Sequence, residues 1–220
     1  MKEACGISII TNFGCSNNCW YCVMKKHPLF NIQHEWNYSK MDKFIKAHKK
    51  YDRISISGGG EPLNDIEKHR EFWNFVKKEK EKYNLLVSVH TRSTCISPLI
   101  LKKLGIDKIV LSIDNPERKQ TKFILDCIAK GLKMRAVHVA TKNSRKSDIE
   151  SFINFCIDNK VEFSIKKLHG YDDGNMFLNL KDIIYKGKKK AIFNNIKFIE
   201  DKDYNMYYMP DNTIRDKFLY

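Results

Sequence analysis

The stretch Arg53-Ile-Ser-Ile-Ser-Gly-Gly-Gly-Glu-Pro62 decides the fold. Ile54 and Ile56 alternate with Ser55 and Ser57, the period of two that puts aliphatic side chains on one face of a strand and small polar ones on the other. Three glycines then end the strand and let the backbone turn sharply. Five other stretches read as strands: Ile7 to Thr11, Leu85 to Thr91, Lys108 to Asp114, Met134 to Thr141 and Val161 to Leu168. Helical patterns lie between them, and such alternation is the signature of βα units on a parallel sheet.

The two faces differ along most of these strands. Val87 and Val89 oppose Ser88 and His90; Leu111 and Ile113 oppose Ser112 and Asp114. Val137 and Val139 oppose His138, and Phe163 and Ile165 oppose Glu162, Ser164 and Lys166. The interior of a closed eight-stranded barrel is packed with Val, Ile and Leu, whereas the interior face read here is polar. Six strands are also too few to close at ordinary tilt. The expected fold is therefore α/β: a partial, open (β/α)6 TIM-like barrel of parallel strands over residues 1–168, with a lumen free for ligands. Residues 169–220 are expected to be an extension packing on or capping the barrel, not an independent domain, with a hairpin suggested around Asp201 to Asp203 and Pro210 to Asn212.

Two helix boundaries are marked. Ser97 and Pro98 start one helix and Gly105 ends it. Ser147 and Glu150 read as a capping box before the apolar stripe Ile149, Phe152, Ile153 and Cys156. Cys127 and Cys156 sit among Ile and Phe and read as core residues.

A chain of 220 residues can bury a core without disulfides. It contains no run of about 20 apolar residues and no secretory pattern at its start, so no membrane association and a cytoplasmic location are expected. The formal net charge of +14 would suit an RNA or nucleotide partner, but runs such as Lys77, Lys78, Lys80 and Lys82 read first as solvated helix faces. The seven cysteines divide into Cys15, Cys19 and Cys22, crowded together, and four scattered singly.

The crowded three form C-x3-C-x2-C directly after the first strand. Thiolates ligate iron–sulfur clusters, and three of them leave one iron open. The same residues suit tetrahedral zinc, with His27 or His34 supplying a fourth ligand, so a zinc-binding protein is the alternative outside enzymes. The Gly59-Gly60-Glu61-Pro62 turn follows the second strand at the same end of the sheet. Its glycines permit close backbone approach, and its carboxylate can accept bonds from an ammonium group.

Together, C-x3-C-x-aromatic-C after the first strand and Gly-Gly-Glu-Pro after the second resemble the radical S-adenosylmethionine (SAM) superfamily. The resemblance implies a [4Fe–4S] cluster on Cys15, Cys19 and Cys22, its fourth iron chelated by the methionine part of SAM. It further implies that Gly59, Gly60 and Glu61 hold the methionine amino group, and that Tyr21 lies near the adenine. Its candidates for the ribose and carboxylate are His90, Thr91, Arg92, Ser93 and Ser112. An electron from the reduced cluster, delivered by a donor such as flavodoxin or ferredoxin, would then generate a 5′-deoxyadenosyl radical. Substrate contacts are expected from Asn12, Asp114, His138, Glu162 and Lys166. The single cluster motif and compact barrel are similar to small radical SAM enzymes that handle 7-deazaguanines, such as the lyase that cleaves queuine in queuosine salvage. A glycyl-radical enzyme activase and an RNA- or nucleotide-modifying radical SAM enzyme are the alternatives.

Overall fold

The computed structural model describes residues 6–17, 19–20, 22, 36–113, 117–141, 144–167, 196–199 and 205–216. Its elements run β1 (Gly6–Thr11), α1 (Tyr38–Ala47), β2 (Arg53–Gly58), α2 (Arg70–Tyr83), β3 (Leu86–Thr91), α3 (Pro98–Lys103) and β4 (Lys108–Ile113). Then come α4 (Arg118–Ala129), β5 (Lys133–Ala140), α5 (Lys146–Asp158), β6 (Glu162–Lys167), β7 (Ile196–Ile199), β8 (Asn205–Tyr208) and β9 (Ile214–Arg215). All six sequence-read strands are present. The hydrogen-bonded order is β7-β6-β5-β4-β3-β2-β1-β8-β9, so the sheet is open. Its assigned pairings are parallel except the terminal β8–β9 pair.

The chain divides into two compact units. The first comprises residues 1–109 and 203–220. Here register carries the strand alternation across the sheet. Ile7, Ile54 and Val87 form one row and Ile9, Ile56 and Val89 the next, all of them at most 1% exposed. The opposite face carries Ser8, Ser55 and Ser88 in one row. Helices α1 and α2 have apolar stripes at helical spacing, Met41, Phe44 and Ile45 on one and Phe72, Trp73 and Val76 on the other. Ser97, Pro98 and Gly105 bound α3 as the sequence indicates, Gly105 adopting a φ of +82°.

The C-terminal segment closes the outer edge of β1 in this unit. Strand β8 pairs with β1, placing Met206 beside Ile7 and Tyr208 beside Ile9. The β8–β9 hairpin turns through Pro210 to Asn212, as its sequence suggests. Asp201 to Asp203 lie outside the described residues; among the described strands β7 pairs with β6 and β8 with β1. The Tyr208 hydroxyl donates to Asn212 Oδ1 (2.8 Å), with the Asn37 carbonyl at the start of α1 3.3 Å away. Burial pushes that phenol up to about 12.

In the second unit, residues 110–202, β5 departs from the sequence reading. His138 lies in register with Ile165 and Ala136 with Phe163, while Val139 pairs with Lys166 and Val137 with Ser164. Phe163 meets Phe152 of α5 edge-on at 6.0 Å, so this face is packed by the helix. His138 is therefore on the aliphatic, helix-packed face with Ala136 and Ala140, and is only 1% exposed. The two valines occupy the polar face instead. The boundary of α5 also differs: the helix begins at Lys146 after Arg145, with no capping side-chain bond. Ser147 bonds Asp148 (3.4 Å) rather than forming a box with Glu150. A reciprocal capping box occurs on α4 instead, between Glu117 and Gln120, where a glutamate replaces the usual Ser or Thr. Cys127 and Cys156 are fully buried, and burial pushes both thiols up to about 12.

Candidate functional site

The site is built where the ends of β1, β2 and β3 meet in the first unit. Two loops are laid against each other there. The Gly59 N–H donates to the Thr11 carbonyl (2.5 Å), and the Glu61 N–H to the Gly14 carbonyl (2.9 Å). Asn64 adds a side-chain bond from Nδ2 to the Phe13 carbonyl (2.7 Å). Gly60 is glycine for a reason internal to the protein: a Cβ there would lie 2.5 Å from the Gly14 oxygen and 3.0 Å from its carbonyl carbon. Gly14 itself has a φ of +77°, a left-handed conformation that glycine adopts without penalty. The close approach expected of the glycine motif is thus made to the segment that leads into Cys15.

Glu61 is 6% exposed, and its carboxylate is bonded on both oxygens. Oε1 accepts from the Thr91 hydroxyl (2.6 Å) and the Leu63 N–H (3.1 Å), and Oε2 from the Arg92 N–H (2.9 Å). Thr91 Oγ1 in turn accepts from the Ser93 N–H (2.8 Å). This carboxylate therefore ties the loop after β2 to the end of β3 and orients the Thr91-Arg92-Ser93 turn. An ionised carboxylate has about four lone-pair directions, so three bonds leave it capacity for one more donor. Sequence reasoning gave Glu61 a ligand role and missed the brace, as well as Asn64.

The cysteine loop leaves this junction. Cys15 is exposed, Cys19 and Cys22 are half-buried, and none of the three is in a disulfide. The Cys22 N–H donates to the Cys19 carbonyl (3.3 Å), a turn that brings these two residues near one another. Among the described residues no three Cys, His, Asp or Glu side chains are gathered as a ligand set, so the thiols are on one loop without being drawn together. Their chemistry suits an iron–sulfur cluster: three thiol donors on a single loop, none of them in a disulfide, beside a backbone cradle. Tyr21 and Asp114, as well as His27 and His34, lie outside the described residues.

The other expected residues are distributed as follows. His90, Arg92 and Ser93 are half-buried at the end of β3, in the same unit as the cysteines, and Asn12 is half-buried just after β1. Thr91 is buried, with its hydroxyl engaged by Glu61. Ser112, His138, Glu162 and Lys166 belong to the second unit. Ser112 and Lys166 are half-buried and Glu162 is exposed. His138 Nε2 is 3.0 Å from Ser144 Oγ, which also accepts from the Thr141 N–H. That arrangement joins the end of β5 to the start of α5 and gives His138 a structural part.

The family model described as the Radical SAM superfamily matches residues 9–161. No curated protein matches the sequence. Among solved structures, Streptococcus suis SuiB bound to S-adenosylmethionine superposes with a TM-score of 0.69 at 18% identity, over 96% of this chain and 58% of SuiB. The chain thus spans less than two thirds of SuiB. Native anSMEcpe with bound AdoMet and Cp18Cys peptide gives 0.63 at 15% identity, covering 98% of this chain and 74% of that one. Methylornithine synthase (PylB) gives 0.59 at 11%, covering 92% and 72%. These likenesses are of fold, and with the open parallel sheet they make the fold class a partial TIM-like barrel. No helix among the described residues is long and apolar enough to cross a membrane.

Proposed function

The chain belongs to the radical SAM superfamily, and from that premise we propose that it cleaves SAM reductively at a [4Fe–4S] cluster held by Cys15, Cys19 and Cys22. Cluster and SAM are the cofactors typical of the family. The observation that carries the residue assignment is the hydrogen-bonded junction between the two motifs, Glu61 N–H to Gly14 carbonyl and Gly59 N–H to Thr11 carbonyl. It makes the cysteine loop and the glycine turn a single structural element.

When bound, the cluster supplies the electron that breaks a sulfur–carbon bond of SAM and yields a 5′-deoxyadenosyl radical. The protein's own residues bind and orient. Cys15, Cys19 and Cys22 would hold three of the irons as thiolates, leaving the fourth open to SAM. Gly59, Gly60 and the remaining acceptor capacity of Glu61 border the amino group. Arg92 is the residue for the SAM carboxylate, since a guanidinium can pair with it through two bonds; His90, Ser93 and Ser112 are assigned to the nucleoside, and Tyr21 to the adenine. Thr91 contributes through Glu61.

For the substrate we propose a small molecule, with the 7-deazaguanine queuine as the first candidate and lyase chemistry as the reaction. Two features support one cluster and a compact substrate site. Cys127 and Cys156 are buried thiols whose ionisation is suppressed, hence poor cluster ligands, and in the second unit Glu162 and Lys166 lie on the sheet face opposite Phe163 and Ile165; Asn12, just after β1 in the first unit, is a further proposed contact. Asp114 remains a proposed substrate contact. A peptide is the second reading, favoured by the likeness to SuiB bound to its precursor peptide SuiA.

The test is anaerobic reconstitution followed by measurement of 5′-deoxyadenosine with queuine, with peptide, with RNA and with no substrate, using flavodoxin or ferredoxin as electron donor. Deoxyadenosine formed with queuine, together with a cleaved deazaguanine product, supports the whole proposal. Stimulation by peptide or RNA alone replaces the substrate assignment. A colourless zinc-containing protein that leaves SAM intact sinks the cluster assignment.

A further inference from the structure

We infer that Asn64 is a positioning residue for the cysteine loop, fixing the peptide that leads into Cys15 from a site outside the loop. The inference rests on the cluster assignment above for its consequence, but on contacts within the first unit for its geometry. Two consecutive carbonyls precede Cys15, and both are held by the segment after β2. Asn64 Nδ2 donates to the Phe13 carbonyl at 2.7 Å, and the Glu61 N–H donates to the Gly14 carbonyl at 2.9 Å. Asn64 is itself fixed by its backbone N–H, which donates to the Glu61 carbonyl at 2.9 Å. The donor is therefore rigidly mounted on the glycine-rich turn.

The Phe13 ring prevents the same peptide from rotating. It is 5% exposed and stacks on His69 with ring centroids 3.7 Å apart and planes 10° apart. Phe72 meets it edge-on at 5.2 Å and Trp36, beyond the cysteines in sequence, at 6.0 Å. With the ring and both carbonyls held, the left-handed Gly14 has one conformation in which to start the loop. The side chain of Asn64 also lies 3.4 Å from where a Gly14 Cβ would be. Asn64 acts on the cysteine loop through the backbone, at the Phe13 carbonyl.

The experiment uses the full chain, first without iron and then reconstituted. Asn64→Leu keeps the size and removes the donor; Asn64→Asp keeps the shape and turns an acceptor toward the Phe13 carbonyl. Asp65→Ala is the control, because Asp65 caps the neighbouring Lys68 N–H and holds a φ of +46° that alanine adopts less readily, so its loss weakens the same turn while leaving the Asn64 donor in place. Without iron, amide hydrogen exchange in the peptide covering residues 13–22 is expected to rise about fivefold or more in both Asn64 variants, the scale of one lost hydrogen bond, and to stay at the parental rate in Asp65→Ala. After reconstitution, iron is expected to pass to a ferrous chelator faster by a similar factor in the Asn64 variants only. Parental exchange in Asn64→Leu, or equal acceleration in Asp65→Ala, overturns the inference. Faster exchange in the Asn64 variants of a protein that takes up zinc instead of iron upholds the positioning role while overturning the cluster assignment beneath it.

Discussion

Replacing Gly60 by alanine tests the junction between the two motifs directly. The added Cβ would stand 2.5 Å from the Gly14 oxygen, 3.0 Å from its carbonyl carbon and 3.3 Å from its nitrogen. All three atoms are backbone, so no side chain can rotate away. One loop must retreat, and doing so stretches the Glu61 N–H bond to that same oxygen, now 2.9 Å. Overpacking of this kind costs about 1–3 kcal/mol, and the hydrogen bond adds about 1 kcal/mol, giving roughly 2–4 kcal/mol together. For a chain of this size each kcal/mol lowers the melting temperature by about 2–4 °C, so a fall of roughly 4–16 °C is expected in thermal unfolding of the iron-free protein. Equilibrium binding of SAM to the reconstituted protein should weaken at least tenfold as the glycine turn moves off the cysteine loop. A Gly60→Ala protein that melts within about 1 °C of the parent and binds SAM equally well would refute the reasoning, because the contact would then be relieved at no cost.

Glu61→Gln keeps the shape but replaces an acceptor of the Thr91 hydroxyl or the Arg92 N–H with a donor. A stability loss of about 1–3 kcal/mol by thermal melting of the iron-free chain is expected, whereas a residue engaged only with SAM would leave that melt unchanged. Glu79 of α2 is 2% exposed, and burial followed by the neighbouring Asp42 raises its carboxyl to about 7. Its folded value exceeds its unfolded one, so the stability it contributes is full below pH 4.5 and is lost as pH rises through 7; Glu79→Gln should raise the melting temperature at pH 8 by a few degrees and leave it nearly unchanged at pH 4.5. Asp42, bonded by Lys82 and held down to about 2, acts oppositely. Asp42→Asn should therefore destabilise the chain at pH 7, with the difference shrinking as pH falls toward 2. Iodoacetamide at pH 8 should label Cys15 and Cys95 quickly and Cys127 and Cys156 only on unfolding, read by peptide mass mapping, since the latter two are buried and their thiolates suppressed.

How far the sequence was legible depended on whether one residue type settled its own environment. Ile54 and Ile56 did so, because a strand with aliphatic residues on only one face has one way to pack. In β5 the rule lost its grip: Val137, Val139, Ala136 and Ala140 are all apolar, so either face could meet the helix. The register with β6 decides it, placing His138 beside Ile165. A buried histidine became acceptable there because Ser144, six residues later, supplies a hydrogen-bond partner, and nothing local in the sequence marks that pairing. The capping box of α5 failed for a related reason: Ser147 and Glu150 have the right spacing, but the helix already begins at Lys146. Spacing identifies a cap only when the first turn starts where the spacing requires it.

The same distinction explains why the two motifs were legible as a pair while their joint construction was not. C-x3-C-x2-C and Gly-Gly-Glu-Pro each have a bland reading, one as a zinc loop and the other as a tight turn. Their combination is more specific, since both follow adjacent parallel strands whose C-terminal ends meet at Thr11 and Gly58. What spacing cannot express is that Gly60 makes room for a carbonyl of the other motif, or that Glu61 has two of its oxygens committed to the end of a third strand. Those are long-range demands, 46 residues between Gly60 and Gly14 and 30 between Glu61 and Thr91. A glycine or glutamate required by them looks, in sequence, the same as one required by a ligand. Substitution therefore has to be read in the iron-free chain first: an effect already present there belongs to the junction, and only the remainder belongs to SAM.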